Sequence, residues 1–328
     1  MCSTCISLKA RIRVEQDEAT KKKLLIEYGI HKRRARQFFI ELKEVPSENT
    51  LCVCFDMMQN QPLPHTVIGE AYYARQIWLS TFGIVIHRGE HSTQSIDDTH
   101  FYLWTENVGG KGSNEIISCL DHFLRGHLGS KKKIRLFSDS CPAQNKNYAM
   151  LLMLQKLATE RGVEIEWFFP EKGHSFIPVD RTFGRVEQLL KKEESILLPQ
   201  DYESFFRQVG TVHTYGSDFH FYCWSKDSKN VLKRSQDFKI TEAKVLLVTS
   251  CGVGLRTAYS GPRCKHRILK AGSKISAFAV SKLPDTNHVS AEKQADVKNL
   301  LEKLGYVGAN IPHFYNRVLA LTCKQSKG

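Results

Sequence analysis

The stretch Thr-Leu-Cys-Val-Cys-Phe-Asp (TLCVCFD) at 50–56 decides the fold. It is a short unbroken apolar run closed by an aspartate, and a strand wet on one face would alternate instead, so the pattern predicts a central strand covered on both sides. Moving outward, QIWLSTFGIVIH at 76–87 and THFYLWTE at 99–106 are rich in aromatic and β-branched residues and are separated by the polar loop RGEHSTQSIDD. These predict two further strands and, with the first, an antiparallel meander.

Helical and extended patterns then alternate. NEIISCLDHFLRGHL places Ile116, Ile117, Leu120, Phe123 and Leu124 on one helical face, with Ser113 as N-cap and Gly126 and Gly129 as its end. KKIRLFSD at 132–139 reads as a strand running into a second aspartate, NYAMLLMLQKLATERG at 147–162 as a helix stopped by Gly162, and VEIEWFF at 163–169 as a strand. FIPVDRTFGRVEQLLKKEES at 176–195 follows as a helix with Phe183, Val186, Leu189 and Leu190 inward. Such alternation implies right-handed crossovers and parallel pairing, so the expected fold is α/β with a mixed sheet flanked by helices.

The flanks are less regular. Residues 1–45 are charged and helix-forming and carry the basic run HKRRAR at 31–36, a helical basic preface. After the core at 46–200, DYESFFRQVG reads as a helix, KVLLVTS and ISAFAV as strands, and SAEKQADVKNLLEKLGY as a helix capped by Ser290 and stopped by Gly305. Residues 201–328 are therefore expected to form a smaller C-terminal α/β appendage. The Gly-rich GVG at 252–254 lacks the context of a dinucleotide fingerprint and reads as a turn.

Composition bounds the function. With 41% hydrophobic residues in 328 the chain has material for one large or two modest cores, which excludes global disorder. No stretch of apolar residues is long enough to span a bilayer, and the N-terminus lacks the apolar segment of a signal peptide, so an intracellular protein is expected. Lys plus Arg number 47 against 34 for Asp plus Glu, a formal charge of +13 that favours a polyanionic partner, with DNA as the first expectation. Ten cysteines without a secretory signal point to buried thiols or a metal site rather than disulfides.

Three aspartates hold related positions. Asp56 and Asp139 close two predicted strands and Asp180 lies in the helix after the fifth. The carboxyl ends of neighbouring strands in an α/β sheet share one crevice, and a helix packed over it can bring a third acid. Converging carboxylates repel unless a cation neutralises them, and hard oxygen ligands suit Mg²⁺ or Mn²⁺. Two such ions support in-line phosphoryl transfer. Glu115 and Glu187 are candidate additional carboxylates. Taken singly, an aspartate past a strand is more often a turn former or a cap.

The strings FDMMQNQPLP at 55–64, WTENVGGKGSNEIISCL at 104–120, FSDSCPAQNKN at 137–147 and GHSFIPVDRTFGRVE at 173–187 resemble an uncharacterised domain of transposon-derived animal proteins, over about residues 1–320. The resemblance implies an RNase H-like fold and a DDE-type acidic site. DRTFG is also similar to the ERAFG string around the third acid of Harbinger-type transposases, with Asp180 where Glu is usual. On this resemblance Asp56, Asp139 and Asp180 are the expected ligands of two Mg²⁺ or Mn²⁺ ions. Glu115 sits where RNase H carries an acid on its first helix, and Glu187 stands in reserve. His174, six residues before Asp180, would orient a ligand or phosphate, or simply serve its own Gly-His-Ser turn.

Cys2 and Cys5 form C-x₂-C, and His31 follows in the basic helix: three of the four ligands of a structural Zn²⁺. A fourth is not evident in the sequence, and a start inside a longer zinc-binding element would account for it. The resembling family carries a similar Cys-Cys-His preface. Two functions follow as expectations: a nuclear transposase-derived protein that cuts or joins DNA, alone or as a homo-oligomer, or a domesticated relative that binds nucleic acid without turnover.

Overall fold

The computed structural model describes residues 2–90 and 94–320. Two helices open it, α1 (Ser3–Val14) and α2 (Glu18–Lys43), the second capped by Asp17, which accepts from the Thr20 N–H at 2.7 Å. The core continues with β1 (Thr50–Met57), the short β2 (Gln61–Leu63) and β3 (His65–Thr66), β4 (Ile77–Ile86) and β5 (Thr99–Thr105). Then α3 (Ser113–His127), β6 (Lys133–Ser138), α4 (Tyr148–Arg161), β7 (Glu164–Phe168) and α5 (Pro178–Leu190) alternate as the sequence pattern predicts. Beyond them lie β8 (Ser195–Ile196), α6 (Pro199–Arg207), β9 (Thr211–Thr214), α7 (Trp224–Asp227), β10 (Val245–Thr249), β11 (Gly252–Arg256), β12 (Cys264–His266), α8 (Ala291–Lys303) and α9 (His313–Leu319).

One mixed sheet runs β12-β11-β10-β7-β6-β1-β4-β5-β9, with β2 paired to β4. The expected meander is present, β1 antiparallel to β4 and β4 antiparallel to β5, and β1, β6 and β7 are parallel to one another. Side chains alternate across β1. Leu51, Val53 and Phe55 join the core under α3 and α4, whereas Cys52 and Cys54 join the opposite core with Phe38 and Leu42 of α2 and Val179, Phe183 and Val186 of α5.

Several expectations need correction. The C-terminal part is no separate appendage, because β9 extends one edge of the sheet and β10 to β12 the other. Strand order is a non-local property that local patterning does not encode. Ile275–Ala277 of ISAFAV is a 3₁₀ turn rather than a strand, and α5 ends at Leu190 rather than continuing to 195. Gly112, not Ser113, occupies the N-cap of α3, and Gly126 lies inside that helix. The segment GVG at 252–254 opens β11 instead of forming only a turn. In the polar loop before β5, residues 91–93 lie outside the described residues, as do 321–328 of the expected C-terminal region.

Candidate functional site

Asp56 and Asp139 come together through strand register. The parallel pairing of β1 and β6 aligns Thr50 with Lys133 and Phe55 with Ser138, so one step further along each chain brings Asp56 beside Asp139. Neighbouring strands lie about 4.8 Å apart. By alternation, Asp56 is on the Cys52 and Cys54 side of β1 and Asp139 on the Phe137 side of β6, the face that α5 covers. Asp180, at the third position of α5, accepts from the Ile177 N–H at 2.7 Å and so caps that helix.

What lets α5 approach so closely is Gly83. It stands opposite Asp56 on β4, and a Cβ there would lie 2.5 Å from the Phe183 ring and 2.7 Å from a Val179 methyl. The side chains of α5 occupy that space.

All three aspartates are half-buried, and the charge of Asp139 acts on the other two. Burial, then the charge of Asp139 and more weakly that of Asp180, pushes Asp56 up to about 7 against the Met57 N–H, which donates to it at 2.7 Å. Asp180 is raised by burial and by Asp139, against the Ile177 N–H. A carboxyl that is held partly protonated near neutrality is one that a cation would stabilise as carboxylate. Asp139 is oriented by two donors, Asn145 Nδ2 at 2.7 Å and the Cys141 N–H at 3.3 Å, both to Oδ1. Among the described residues, Asp56 Oδ2, Asp139 Oδ2 and Asp180 Oδ1 have no hydrogen-bond donor, so each acid keeps one oxygen for a ligand. The three do not, however, draw within 4.8 Å of one another as a single-ion group. Two ions about 3.5 to 4 Å apart need a wider cage than one.

Two neighbours of this crevice depart from the sequence reading: Asn145, expected like Asn147 to cap the helix, and Lys146, which has no expected role. Asn145 holds Asp139, while Asn147 alone caps α4 by accepting from the Met150 N–H at 3.0 Å. Lys146 is buried, donates to the carbonyls of Ala243 at 2.7 Å and Thr241 at 3.1 Å, and lies 4.2 Å from the centre of the Phe169 ring. Burial and Lys244 lower it to about 8, opposed by Asp139 and Glu171. An Asn-Lys-Asn run after a turn gave no signal for either role.

Of the reserve carboxylates, Glu115 is corrected by the structure. Both Glu115 oxygens are taken by its own loop, from the Gly110 N–H at 2.9 Å and the Gly112 N–H at 3.0 Å, and α3 packs on the sheet face opposite α5. Glu187 lies two helical turns, about 10.5 Å, beyond Asp180, and the charges that raise Asp56 and Asp180 come from the other aspartates.

His174 is not beside the acids either. It meets Cys2, Cys5 and His31, and these four bring one ligand atom each to within 4.8 Å of one another, the one such group among the described residues. Cys2 Sγ lies 3.3 Å from His31 Nε2, Cys5 Sγ 3.3 Å from His174 Nε2, and the two Nε2 atoms are 3.2 Å apart. A tetrahedral ion about 2.0–2.1 Å from nitrogen and 2.3 Å from sulfur separates its ligand atoms by roughly 3.3–3.8 Å. The cluster fits. Burial and His31 lower His174, which favours the neutral imidazole that a metal binds. These residues could hold a metal such as Zn²⁺, and the ligand missing from the sequence reading is His174, supplied from 143 residues beyond His31.

No helix among the described residues is long and apolar enough to cross a membrane. No curated protein and no solved structure matches the chain. Residues 74–235 are similar to a family described as Domain of unknown function (DUF7869), a span that takes in Asp139, His174 and Asp180 and leaves Asp56 and the helices α1 and α2 outside.

Proposed function

We propose that the chain is a transposase-derived, RNase H-like DNA-processing protein whose site is Asp56, Asp139 and Asp180. The observation that carries this reading is the register of β1 and β6, which sets two aspartates side by side at the carboxyl ends of adjacent parallel strands, with a third on the helix over the same face. The meander β1-β4-β5 and the parallel run β1-β6-β7 support the RNase H-like assignment.

When bound, two Mg²⁺ or Mn²⁺ ions would supply Lewis-acid stabilisation of the attacking and leaving oxygens of a phosphodiester. The chain's own part is positional. Asn145 and the Cys141 N–H fix one Asp139 oxygen and leave the other without a donor among the described residues; the Ile177 N–H does the same for Asp180. Lys146, held by two carbonyls, keeps a cation near Asp139. Zn²⁺ in the Cys2, Cys5, His31 and His174 cluster would be structural, since all four positions are protein ligands and none is left for substrate. DNA as partner, and with it a nuclear location, rests on the charge of +13.

The second reading is a DNA-binding protein without turnover, favoured by the aspartates standing further apart than a single-ion group. Nicking or strand transfer of a labelled duplex in Mn²⁺ separates the two. Activity that is lost in Asp139→Asn carries the catalytic reading. Equal activity in both chains removes it, and binding without activity in either selects the module.

A further inference from the structure

The last turns of α2 are docked on the sheet by Phe38 and Leu42 and by the ion pairs of Glu41 and Glu44 with Arg135, whereas the outer part of the α1–α2 hairpin is joined to the loop before α5 by the cluster of Cys2, Cys5, His31 and His174. Helix α1 buries only Leu8, and of the buried side chains of α2 only Phe38 and Leu42, in its last two turns, belong to the core of the sheet. The outer part of the hairpin exposes Ile6, Leu25, Ile26 and Ile30 to water, so apolar packing does not dock it. Its attachment near the sheet is the meeting of Cys2, Cys5 and His31 with His174, in the loop between β7 and α5.

That loop is shaped for the meeting. Gly173 has a φ of +79, a left-handed conformation that side chains disfavour, and a Cβ on it would lie 2.7 Å from Cys2 Cα. The backbone of the loop therefore passes directly against the C-x₂-C segment, and His174 follows with its N–H donated to the Glu171 carbonyl at 2.9 Å. Three residues later Ile177 receives the Asp180 cap. Few residues lie between the cluster and the third acid.

We infer that Zn²⁺ bound by Cys2, Cys5, His31 and His174 acts as a clamp that ties the basic N-terminal hairpin to the loop before α5 and so positions Asp180. This deepens the DNA-processing reading and rests on it for the role of Asp180. His174 is then a positioning residue, acting on the acid site through the metal and the first turn of α5. The separate origin of the ligands makes the ion an organiser: metal binding at a site assembled only in the folded state is coupled to folding of the segments that supply it.

The test measures metal content, cobalt spectra and amide exchange in the full chain. Purified protein should carry roughly one zinc equivalent, and Co²⁺ in its place should show thiolate-to-metal charge transfer with tetrahedral ligand-field bands. Chelation should speed exchange of the Ile177 and Asp180 amides at least tenfold and leave the amides of β10 unchanged, and added Zn²⁺ should reverse it. His174→Ala should lose the ion and mimic the chelated state; His174→Cys should keep the ion and the protection. Zinc retained in full by His174→Ala, or exchange at Ile177 and Asp180 indifferent to the metal, overturns the clamp. If His174→Ala does not fold, the reversible chelation of the natural chain decides alone. Mn²⁺ titration of the zinc-loaded protein, read by electron paramagnetic resonance, keeps the two ideas apart: zinc-dependent protection without Mn²⁺ binding at the aspartates sustains the clamp and overturns the DNA-cutting reading.

Discussion

At the scale of single residues, the side chains that matter most around the acids are the ones whose hydrogen bonds are already committed. Glu115 illustrates the negative case: an acid three residues into a helix is a capping signal before it is a ligand, and here both oxygens serve Gly110 and Gly112. Asn145 is the positive case. It donates to Asp139 at 2.7 Å and is buried, yet its own Oδ1 has no partner among the described residues. Asn145→Ala therefore removes a charge-assisted bond, typically about 1.5–3 kcal/mol, and at the same time an unsatisfied buried acceptor worth about 1–3 kcal/mol, so the net loss of stability should be about 2 kcal/mol or less by urea unfolding. Mn²⁺ affinity should drop at least tenfold by titration, because Asp139 is freed to rotate. A variant that unfolds by several kcal/mol, or that binds Mn²⁺ like the natural chain, would contradict the positioning role.

Between elements, the decisive contact is α5 against β4. With Gly83 opposite Asp56, Val179 and Phe183 settle where a side chain would stand, and Asp180 is carried in between them in sequence. Gly83→Ala sets a methyl 2.5 Å from the Phe183 ring, which forces the helix outward at a cost of about 1–3 kcal/mol. Urea unfolding checks this, and Phe183→Leu in the same chain should recover part of the loss; equal stability of Gly83→Ala and the natural protein would mean the helix is not seated as described. The elements themselves were largely legible. The continuous apolar run of β1, the amphipathic stripe of α3 and the Gly162 stop of α4, at φ +64, are local patterns with local causes. The pairing of Cys5 with His174, 169 residues apart, was not, since no spacing motif links a loop histidine to a distant C-x₂-C. The same holds for β9 and β10, whose addition to opposite edges of one sheet depends on tertiary contacts rather than on propensity.

For the whole molecule, the pairing of β9 with β5 is one of the two edges by which the chain after residue 200 joins the sheet, the other being β10 on β7, and it carries a titratable contact. His100 Nδ1 and His213 Nε2 lie 3.2 Å apart, and His100 Nε2 has no partner among the described residues. Burial, then His127 and His213, hold His100 at about 4 against the Asp97 backbone and Asp98. Burial, then His122, with smaller pushes from His127 and Arg207, holds His213 at about 4 against Asp218. Unfolded histidine titrates near 6.5, so between about pH 6.5 and 4 the unfolded chain binds more protons. Their contribution is thus complete above about pH 6.5 and is lost as the pH falls. At about pH 5 the pair should cost on the order of 2 kcal/mol, once His213, half-exposed, is discounted for solvent screening. Asp56 works in the opposite direction, because its raised value makes protonation favour the fold over the same window. Both arms of the test therefore carry Asp56→Asn, and groups common to them cancel in the difference. Urea unfolding at about pH 7 and about pH 5 should show the His100→Gln, His213→Gln chain losing about 2 kcal/mol less than its parent. Parallel losses in the two chains would mean that this edge of the sheet does not carry the acid sensitivity.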